Sequence, residues 1–303
     1  MTAPAASERI GPITTVGLVA KTHSPNATQV VRDAVAWLDA RGIGSVVETD
    51  TARQAGLDDR HPRCAKDKLP TVADLALVIG GDGTLLDVAH RIAGTSPETP
   101  ILAVNCGSLG FLTEITLPEL HDALASVIAG DAGVDERRML RSQVLRGGQT
   151  AAERLVLNDV VIGKSARSNI IEMSISVGDQ FVTTSRADGI IVATPTGSTA
   201  YNLAAGGPIV HPAVDALVIT PIAPHTLTNR PIVISSATPV RIQPDLAGSH
   251  REAVASFDGQ FTVELVDGDV VVVAQAPQAL RVVRAESRNY FAVLREKLKW
   301  GER

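Results

Sequence analysis

The sequence predicts an α/β domain followed by a β-rich one, and three observations carry that prediction. Apolar, strand-like runs alternate with helical patterns as far as Gly130. From about Met139 the hydrophobic period changes from helical to alternating, as at Ile171, Met173, Ile175 and Val177. Glycine-containing turn pairs then recur at Gly147-Gly148, Gly178-Asp179, Asp188-Gly189, Asp258-Gly259 and Asp267-Gly268. With the change near Asp131 to Arg137, the expected division is 1–136 for a Rossmann-like α/β domain, 137–283 for a β-rich sandwich, and 284–303 for a tail whose helix returns to the first domain.

Ile13 to Ala20 reads as the first strand, and Ser24-Pro25 opens a helix with Val31, Ala34, Val35 and Leu38 on one face. Ser45 to Glu48 is a second short strand. Thr49 to Pro70 is polar and aperiodic, and reads as a mobile surface loop, a solvated linker in preference to a substrate lid. Leu75 to Ile79 is wholly apolar, as expected of a strand buried on both faces, and Leu85, Val88, Ala89 and Ile92 follow on one helical face. Ile101 to Val104 is a similar strand that runs into Asn105-Cys106-Gly107-Ser108-Leu109-Gly110-Phe111-Leu112. Strands alternating with helices imply parallel pairing, so both glycine loops should share the carboxyl edge of the sheet. Thr116 and Glu119 have capping-box spacing ahead of a helix that ends near Gly130. Val270 to Ala274 reads as a strand buried on both sides, so two packed sheets are expected; Phe291, Leu294, Arg295 and Leu298 give the tail helical spacing.

The 303 residues, 45% of them hydrophobic, suffice for a sizeable core. The opening MTAPAASERIGP has no basic region followed by an apolar stretch, and no window reaches the length of a membrane span. The expectation is a cytoplasmic protein with a mobile first dozen residues and no membrane partner. Cys64 and Cys106 have neither metal-ligand nor framework spacing, which fits a reducing compartment without disulfides or structural zinc. A net charge of −5 argues against nucleic acid as a partner, and an anionic ligand would need positive potential locally.

The most informative stretch is Gly80-Gly81-Asp82-Gly83-Thr84 between the apolar strand and its helix. That order brings bare backbone N–H groups and a positive helix end to one spot, which suits phosphate. Asp82 does not, because a carboxylate about 4 Å from a phosphate charge is opposed by roughly 4 kcal/mol at an effective dielectric near 20. Asp82 therefore needs another partner, either a metal travelling with the phosphates or a hydroxyl whose proton it accepts. A bare Asp-Gly turn is the plain alternative.

Thr194 to Ile209, TPTGSTAYNLAAGGPI, is the second such stretch. Its hydroxyls, glycines and single tyrosine suit a sugar and a stacked base, and equally suit a capped helix start with Tyr201 in the core. Asn158-Asp159 is compatible with an Asx turn. Gly163-Lys164-Ser165 fails as a phosphate-loop ending because Asn158 stands where its first glycine belongs, and Leu86 breaks the dinucleotide fingerprint after Gly83. Metalloprotease and esterase patterns are absent.

Taken together, GGDGT at Gly80 to Thr84, NCGSLGFL at Asn105 to Leu112, Asn158-Asp159 and DGIIVATPTGSTAYNLAAGGPI at Asp188 to Ile209 stand in the order seen in NAD kinases. PIAPHTLTNRP at Pro221 to Pro231, DGQ at Asp258 to Gln260 and YFAVLREKLKWG at Tyr290 to Gly301 continue that order. The chain strongly resembles a bacterial NAD kinase from Ile13 onward. Lipid kinases and phosphofructokinases carry loops like GGDGT, and the TPTGSTAY stretch narrows the choice.

The resemblance implies transfer of a phosphoryl group, with Mg²⁺, from ATP or inorganic polyphosphate to the 2′-hydroxyl of the adenosine ribose of NAD. It makes Asp82 the general base and brings Gly80, Gly81 and Gly83 to the donor phosphates. It puts Asn158 and Asp159 on the adenosine, and lines the adenine pocket with Thr196, Thr199, Ala200 and Tyr201, with Asn202 and Ala204 adjoining. Arg186, Asp188, Ala223 and Gln260 match further NAD-contacting positions. It also implies a homodimer or homotetramer assembled through the β-rich domain; it names no metal ligands. Two residues depart from the pattern: Asp159 stands where glutamate is usual, and Ala204 where serine is common. The rival readings are a lipid kinase, which needs an apolar entrance, and a non-catalytic NAD sensor, which leaves Asp82 without a task.

Overall fold

The computed structural model describes residues 10–301 apart from 108, 166, 167, 227, 248–250 and 286. Most of the opening segment expected to be mobile, together with Ser108 and Leu227 of the quoted motifs, lies outside the described residues. The chain divides into two compact units, Met1–Glu136 with Leu280–Arg303, and Arg137–Ala279.

The first unit runs β1 (Thr15–Ala20), α1 (Pro25–Asp39), β2 (Gly44–Glu48), α2 (Thr49–Ala55), β3 (Arg63–Cys64), α3 (Leu69–Val72), β4 (Leu75–Gly80), α4 (Asp82–Thr95), β5 (Ile101–Asn105), β6 (Ile115–Thr116) and α5 (Leu120–Ala129). Its strands pair in the order β3-β2-β1-β4-β5, all parallel, with β6 beside the end of β5. The order reverses between β1 and β4, and crevices beyond the carboxyl ends at such a reversal are where ligands bind. All six residues of β4 are buried, as its unbroken apolar run requires. The predicted faces of α1 and α4 are buried too. Glu119 accepts both the N–H (2.8 Å) and the hydroxyl (2.6 Å) of Thr116, and Gly130 closes α5 at φ +78°.

The stretch 49–70 is not the open loop its polarity suggests. Glu48 starts α2 by accepting the N–H groups of Asp50 (3.0 Å) and Thr51 (2.8 Å), and Gly56 ends it in the left-handed region. The helix buries only Thr51, Ala52 and Ala55, side chains too small to register as an apolar stripe.

The second unit contains β7 (Val134–Arg146), whose first residues belong to the first unit, then β8 (Gln149–Val156), β9 (Asp159–Lys164), β10 (Ile171–Val177), β11 (Gln180–Ala187), β12 (Gly189–Ala193), α6 (Tyr201–Ala204), β13 (Ala216–Ile222), β14 (Ile232–Ser235), β15 (Val240–Asp245), β16 (Ala253–Phe257), β17 (Phe261–Leu265) and β18 (Val270–Val283). One sheet runs β8-β7-β18-β15-β10-β11 and the other β14-β13-β12-β9-β16-β17. Their inner faces share one core, in which Met173, Val271 and Ile242 of the first sheet join Val160, Ile190 and Phe257 of the second. The unit is a sandwich.

The turn pairs do two different jobs. Gly147-Gly148, Gly178-Asp179 and Asp258-Gly259 close hairpins within a sheet, whereas Asp188-Gly189 and Asp267-Gly268 carry the chain from one sheet to the other. The run Val270 to Ala274 also departs from expectation: Val271 and Val273 are fully buried and their neighbours only partly so, because one face of β18 alone meets the core. β12 is buried on both faces, its outer residues Ile191 and Ala193 covered by the returning segment around Ala205 and Val210, and β13 beside it is buried from Ala216 to Pro221.

The chain re-enters the first unit through the end of β18, where Val282 pairs parallel with Ile101, and finishes in α7 (Tyr290–Leu298), started by the Asn289 side chain. Its buried face is Val293 and Leu294, while Phe291 is exposed. No described helix is long and apolar enough to cross a membrane.

Gly189 is demanded by packing at the sheet change, since a Cβ there would stand 2.6 Å from the Ile162 carbonyl oxygen and 3.1 Å from the Gly163 Cα. Both neighbours are backbone of a paired strand and cannot rotate away. Gly189→Ala should therefore destabilise the protein by about 1–3 kcal/mol in denaturant titrations, the cost of overpacking; an unchanged midpoint would refute this account.

Candidate active site

Three strand ends of the first unit open on one cavity of about 300 Å³. Lys21 follows β1, Gly80 ends β4 with Gly81 and Asp82 after it, and Asn105 ends β5 with Cys106 and Gly107 after it, so both glycine loops share one edge as the parallel topology requires. Gly81 stands just before α4 with open space where its Cβ would be, as does Gly83. The N–H groups of Asp82 and Gly83, at the start of the first turn, and the positive helix end thus remain approachable from the cavity, whereas the Thr84 N–H donates to the Gly81 carbonyl (2.9 Å). Gly80 is different, because a Cβ there would strike Thr84.

Asp82 reaches across to the second loop. Its Oδ2 accepts the Phe111 N–H (2.9 Å), and its Oδ1 accepts the N–H groups of Leu112 (3.2 Å) and Thr113 (3.0 Å) and the Thr113 hydroxyl (2.9 Å). Asn105 supports the same loop, donating to Thr113 Oγ1 (2.9 Å) and accepting the Gly107 N–H (2.6 Å). Gly110 has no side chain because a Cβ would land on the Asp82 carboxylate. The charge that looked misplaced in a phosphate cradle is therefore compensated by the fold itself. Anchoring the 111–113 loop thus gives Asp82 a task that does not depend on catalysis, one a non-catalytic NAD sensor would also need. Oδ1 is saturated, whereas Oδ2 has one donor and can accept another.

The cavity also holds two cations that sequence reasoning missed, Lys21 and Lys297. Lys297 lies on α7, with its ammonium 5.6 Å from the centre of the Phe111 ring. Lys21 was legible only as the residue next to the end of an apolar strand; nothing in the order of residues ties Lys297 to the glycine loops.

The second unit carries its own cavity, of about 410 Å³, with Asn158, Asp159, Ala200, Tyr201, Ser256 and Asp258 in its wall. Asp258, at φ +50°, accepts the N–H groups of Leu157 (2.7 Å), Asn158 (2.7 Å) and Asp159 (3.0 Å). That fixes the start of β9. The Asp159 residue is 5% exposed, and its carboxyl has no partner among the described residues. Burial, and secondarily the neighbouring Asp258 charge, pushes it up to about 7.

Much of the hydroxyl-rich segment holds itself together. The Thr194 hydroxyl donates to the Leu157 carbonyl (2.6 Å) and accepts the Gly197 N–H (2.9 Å), and the Ser198 hydroxyl accepts the Val210 N–H (2.9 Å). Asn202, expected among the nucleotide contacts, is corrected here: it is fully buried, donates to the carbonyls of Ser198 (2.9 Å) and Pro208 (3.0 Å), and accepts the Thr220 hydroxyl (2.6 Å). Its amide is spent on the fold. Tyr201 is exposed at the cavity and not in the core. Thr196 is buried, with its carbonyl accepting the Thr199 hydroxyl (3.3 Å), and neither is in the cavity wall; Ala204 is exposed. Arg186, Asp188, Ala223 and Gln260 are also outside that wall, and Asp188 pairs with Lys164 (3.3 Å).

Asp159 binds its proton more tightly in the folded than in the unfolded chain, where its value is near 3.8. The folded state therefore holds the extra proton between about 4 and about 7, and stability falls as pH rises through that window. Asp159→Asn, which mimics the neutral acid, should raise the melting temperature at pH 8 and leave it nearly unchanged at pH 4; equal effects at both pH values would contradict the assignment.

Comparison with known proteins agrees with this arrangement. Residues 16–132 match the family described as the ATP-NAD kinase N-terminal domain, and residues 157–285 the ATP-NAD kinase C-terminal domain. The chain is 48% identical over 288 residues to the NAD kinase of Geobacter sulfurreducens, covering 95% of this chain and 99% of that one. Its fold is similar to that of yeast NADH kinase, solved in complex with NADH, at a TM-score of 0.88 and 25% identity, covering 100% of this chain and 94% of the yeast one. The fold of an NAD kinase from Archaeoglobus fulgidus, solved in complex with ATP, is also similar, at a TM-score of 0.72 and 24% identity, covering 93% of this chain and 99% of that one. With glycine loops gathered at the carboxyl edge of a parallel sheet and a sandwich carrying the Asn158-Asp159 cavity, the chain belongs to the NAD kinase family.

Proposed function

We propose that this chain moves the terminal phosphoryl group of ATP onto the 2′-hydroxyl of the adenosine ribose of NAD, giving NADP. The observation that carries the reading is the place of Asp82, at the first turn of α4 in a glycine-walled cavity with its Oδ2 still able to accept a hydrogen bond. The donor phosphates approach the open space at Gly81 and Gly83, where first-turn N–H groups and the helix end face them. The adenosine of NAD contacts Asn158, Asp159, Ala200 and Tyr201, with Tyr201 stacking on the base. Thr196, Thr199 and Asn202 shape this wall from behind, while Arg186, Asp188, Ala223 and Gln260 contact NAD away from it.

In this reading the attacking hydroxyl donates to Asp82 Oδ2, which removes its proton as the new P–O bond forms and the bond between the terminal phosphorus and the bridging oxygen breaks, ADP departing. Little covalent work is asked of the protein in phosphoryl transfer, and alignment and charge neutralisation dominate. Mg²⁺ arriving with the donor phosphates would supply further neutralisation of charge on the transferring group. Among the described residues no group of three or more His, Cys, Asp or Glu is placed to hold a metal. The chain works in the cytoplasm as a dimer or tetramer joined through the β-rich unit.

The hydrogen bonds on Asp82 favour a second role, in which it holds the 111–113 loop in place and orients the hydroxyl without taking its proton. Asp82→Asn bears on both roles at once. An amide nitrogen facing the Phe111 N–H would put donor against donor, so loss of anchoring should lower the melting temperature as well as turnover.

The reaction is tested by incubating the protein with NAD, ATP and Mg²⁺ and coupling product to an NADP-specific dehydrogenase, with polyphosphate replacing ATP in parallel. NADPH should appear with ATP; its absence despite tight NAD binding would support a sensor. In the same assay Asp82→Asn should lose about 10²-fold or more in turnover while keeping most NAD affinity. Near-normal turnover would remove Asp82 from the chemistry.

A further inference from the structure

The donor cavity has a charge problem that the glycine loops do not solve. A nucleoside triphosphate brings several negative charges to a chain of net charge −5, and the side chain nearest the α4 N-terminus is a carboxylate. A helix end supplies only about half a positive charge. The cationic side chains in the cavity wall are Lys21 and Lys297.

Neither ammonium is ion-paired among the described residues, whereas Lys66 and Lys164 elsewhere hold Asp87 and Asp188. Lys21 is fixed by its backbone, with its N–H donating to the Ile79 carbonyl (2.8 Å), which pins it where β1 and β4 diverge. Lys297 comes from the opposite direction in sequence, on α7, and is positioned over the Phe111 ring. Phe111 is the residue whose N–H donates to Asp82 Oδ2. The two lysines thus border the cavity, and one of them rests on the loop that fixes the Asp82 carboxylate.

We propose that Lys297 and Lys21 are donor-binding residues, their ammonium groups holding the phosphates of the nucleoside triphosphate against the N-terminus of α4. Because α7 supplies Lys297, the C-terminal segment is part of the catalytic apparatus and not only a packing element. The inference rests on the phosphoryl-transfer reading, but its test is a binding measurement that does not need turnover. The recognised group is the phosphate chain, so inorganic tripolyphosphate should feel the lysines as ATP does.

The experiment is titration calorimetry of Mg²⁺–ATP and of Mg²⁺–tripolyphosphate on the full chain and on Lys297→Ala, Lys297→Met, Lys297→Arg, Lys21→Ala and Lys299→Gln, each checked by thermal melting. Lys297→Ala and Lys21→Ala should each weaken both ligands about ten-fold or more and leave NAD affinity within about two-fold. Lys297→Arg should recover most of the loss. Lys299→Gln, which removes the same charge from the same helix end outside the cavity wall, should behave as wild type. Lys297→Met keeps the apolar stem and carries the test if the alanine variant does not fold. The proposal is overturned if Lys297→Met or Lys297→Ala binds ATP within about two-fold of wild type, or if Lys299→Gln loses as much. Should the wild-type chain bind ATP through these lysines yet form no NADP, the phosphoryl-transfer reading fails and the donor site stands.

Discussion

A single carboxylate joins two loops that lie about thirty residues apart in the chain. Asp82 accepts three successive backbone N–H groups, those of Phe111, Leu112 and Thr113, and one hydroxyl besides. Several features of the first unit follow from that bond set. Gly110 must lack a side chain for the loop to close on the carboxylate, Asn105 must brace Thr113, and the carboxyl ends of β4 and β5 must be neighbours. Charge-assisted bonds of this kind are strong, and breaking them would leave buried donors without acceptors. The cavity is thus held rigid by a carboxylate in its own wall.

The second unit repeats the device. Asp258 accepts the N–H groups of Leu157, Asn158 and Asp159 in the same way, from a hairpin turn whose left-handed aspartate is itself strained for an L-residue. In both places an aspartate beside a glycine captures three consecutive amides at the edge of a cavity. The cost differs. Asp258 leaves a second carboxyl, Asp159, buried next to a compensated charge, and that carboxyl is lifted towards neutrality. Elsewhere the balance goes the other way: burial alone would raise Glu119, but hydrogen bonds from Ser287, Thr116 and Arg288 hold it at about 2.

What could be read from the order of residues was whatever depends on local pattern. The unbroken apolar run of β4, the period of α1, the capping box at Thr116 and the alternation of β10 each state their own burial, and the alternation of strands with helices placed both glycine loops on one edge. Motif order identified the family. What escaped was non-local. The start of α2 depends on a glutamate side chain folding over its own helix, and the sheet changes at Gly189 and Gly268 look like ordinary turns until their strands are paired. The task of Asp82 as an anchor needed the 111–113 loop in place. Asn202 resembles a ligand contact by neighbourhood and is a buried strut by geometry.

The first unit is discontinuous, with everything from Arg137 to Ala279 interposed between its main body and the segment that returns through Leu280. During synthesis the parallel sheet and its helices leave the ribosome early, but the strand end that pairs with Ile101, the Arg288 partner of Glu119 and the α7 lysine over Phe111 follow only after the whole sandwich has been made. The nascent cavity therefore waits, unfinished on one side, until α7 has been translated. A ribosome that stalls within the sandwich leaves a chain with both glycine loops but without the residues that close this wall of the cavity.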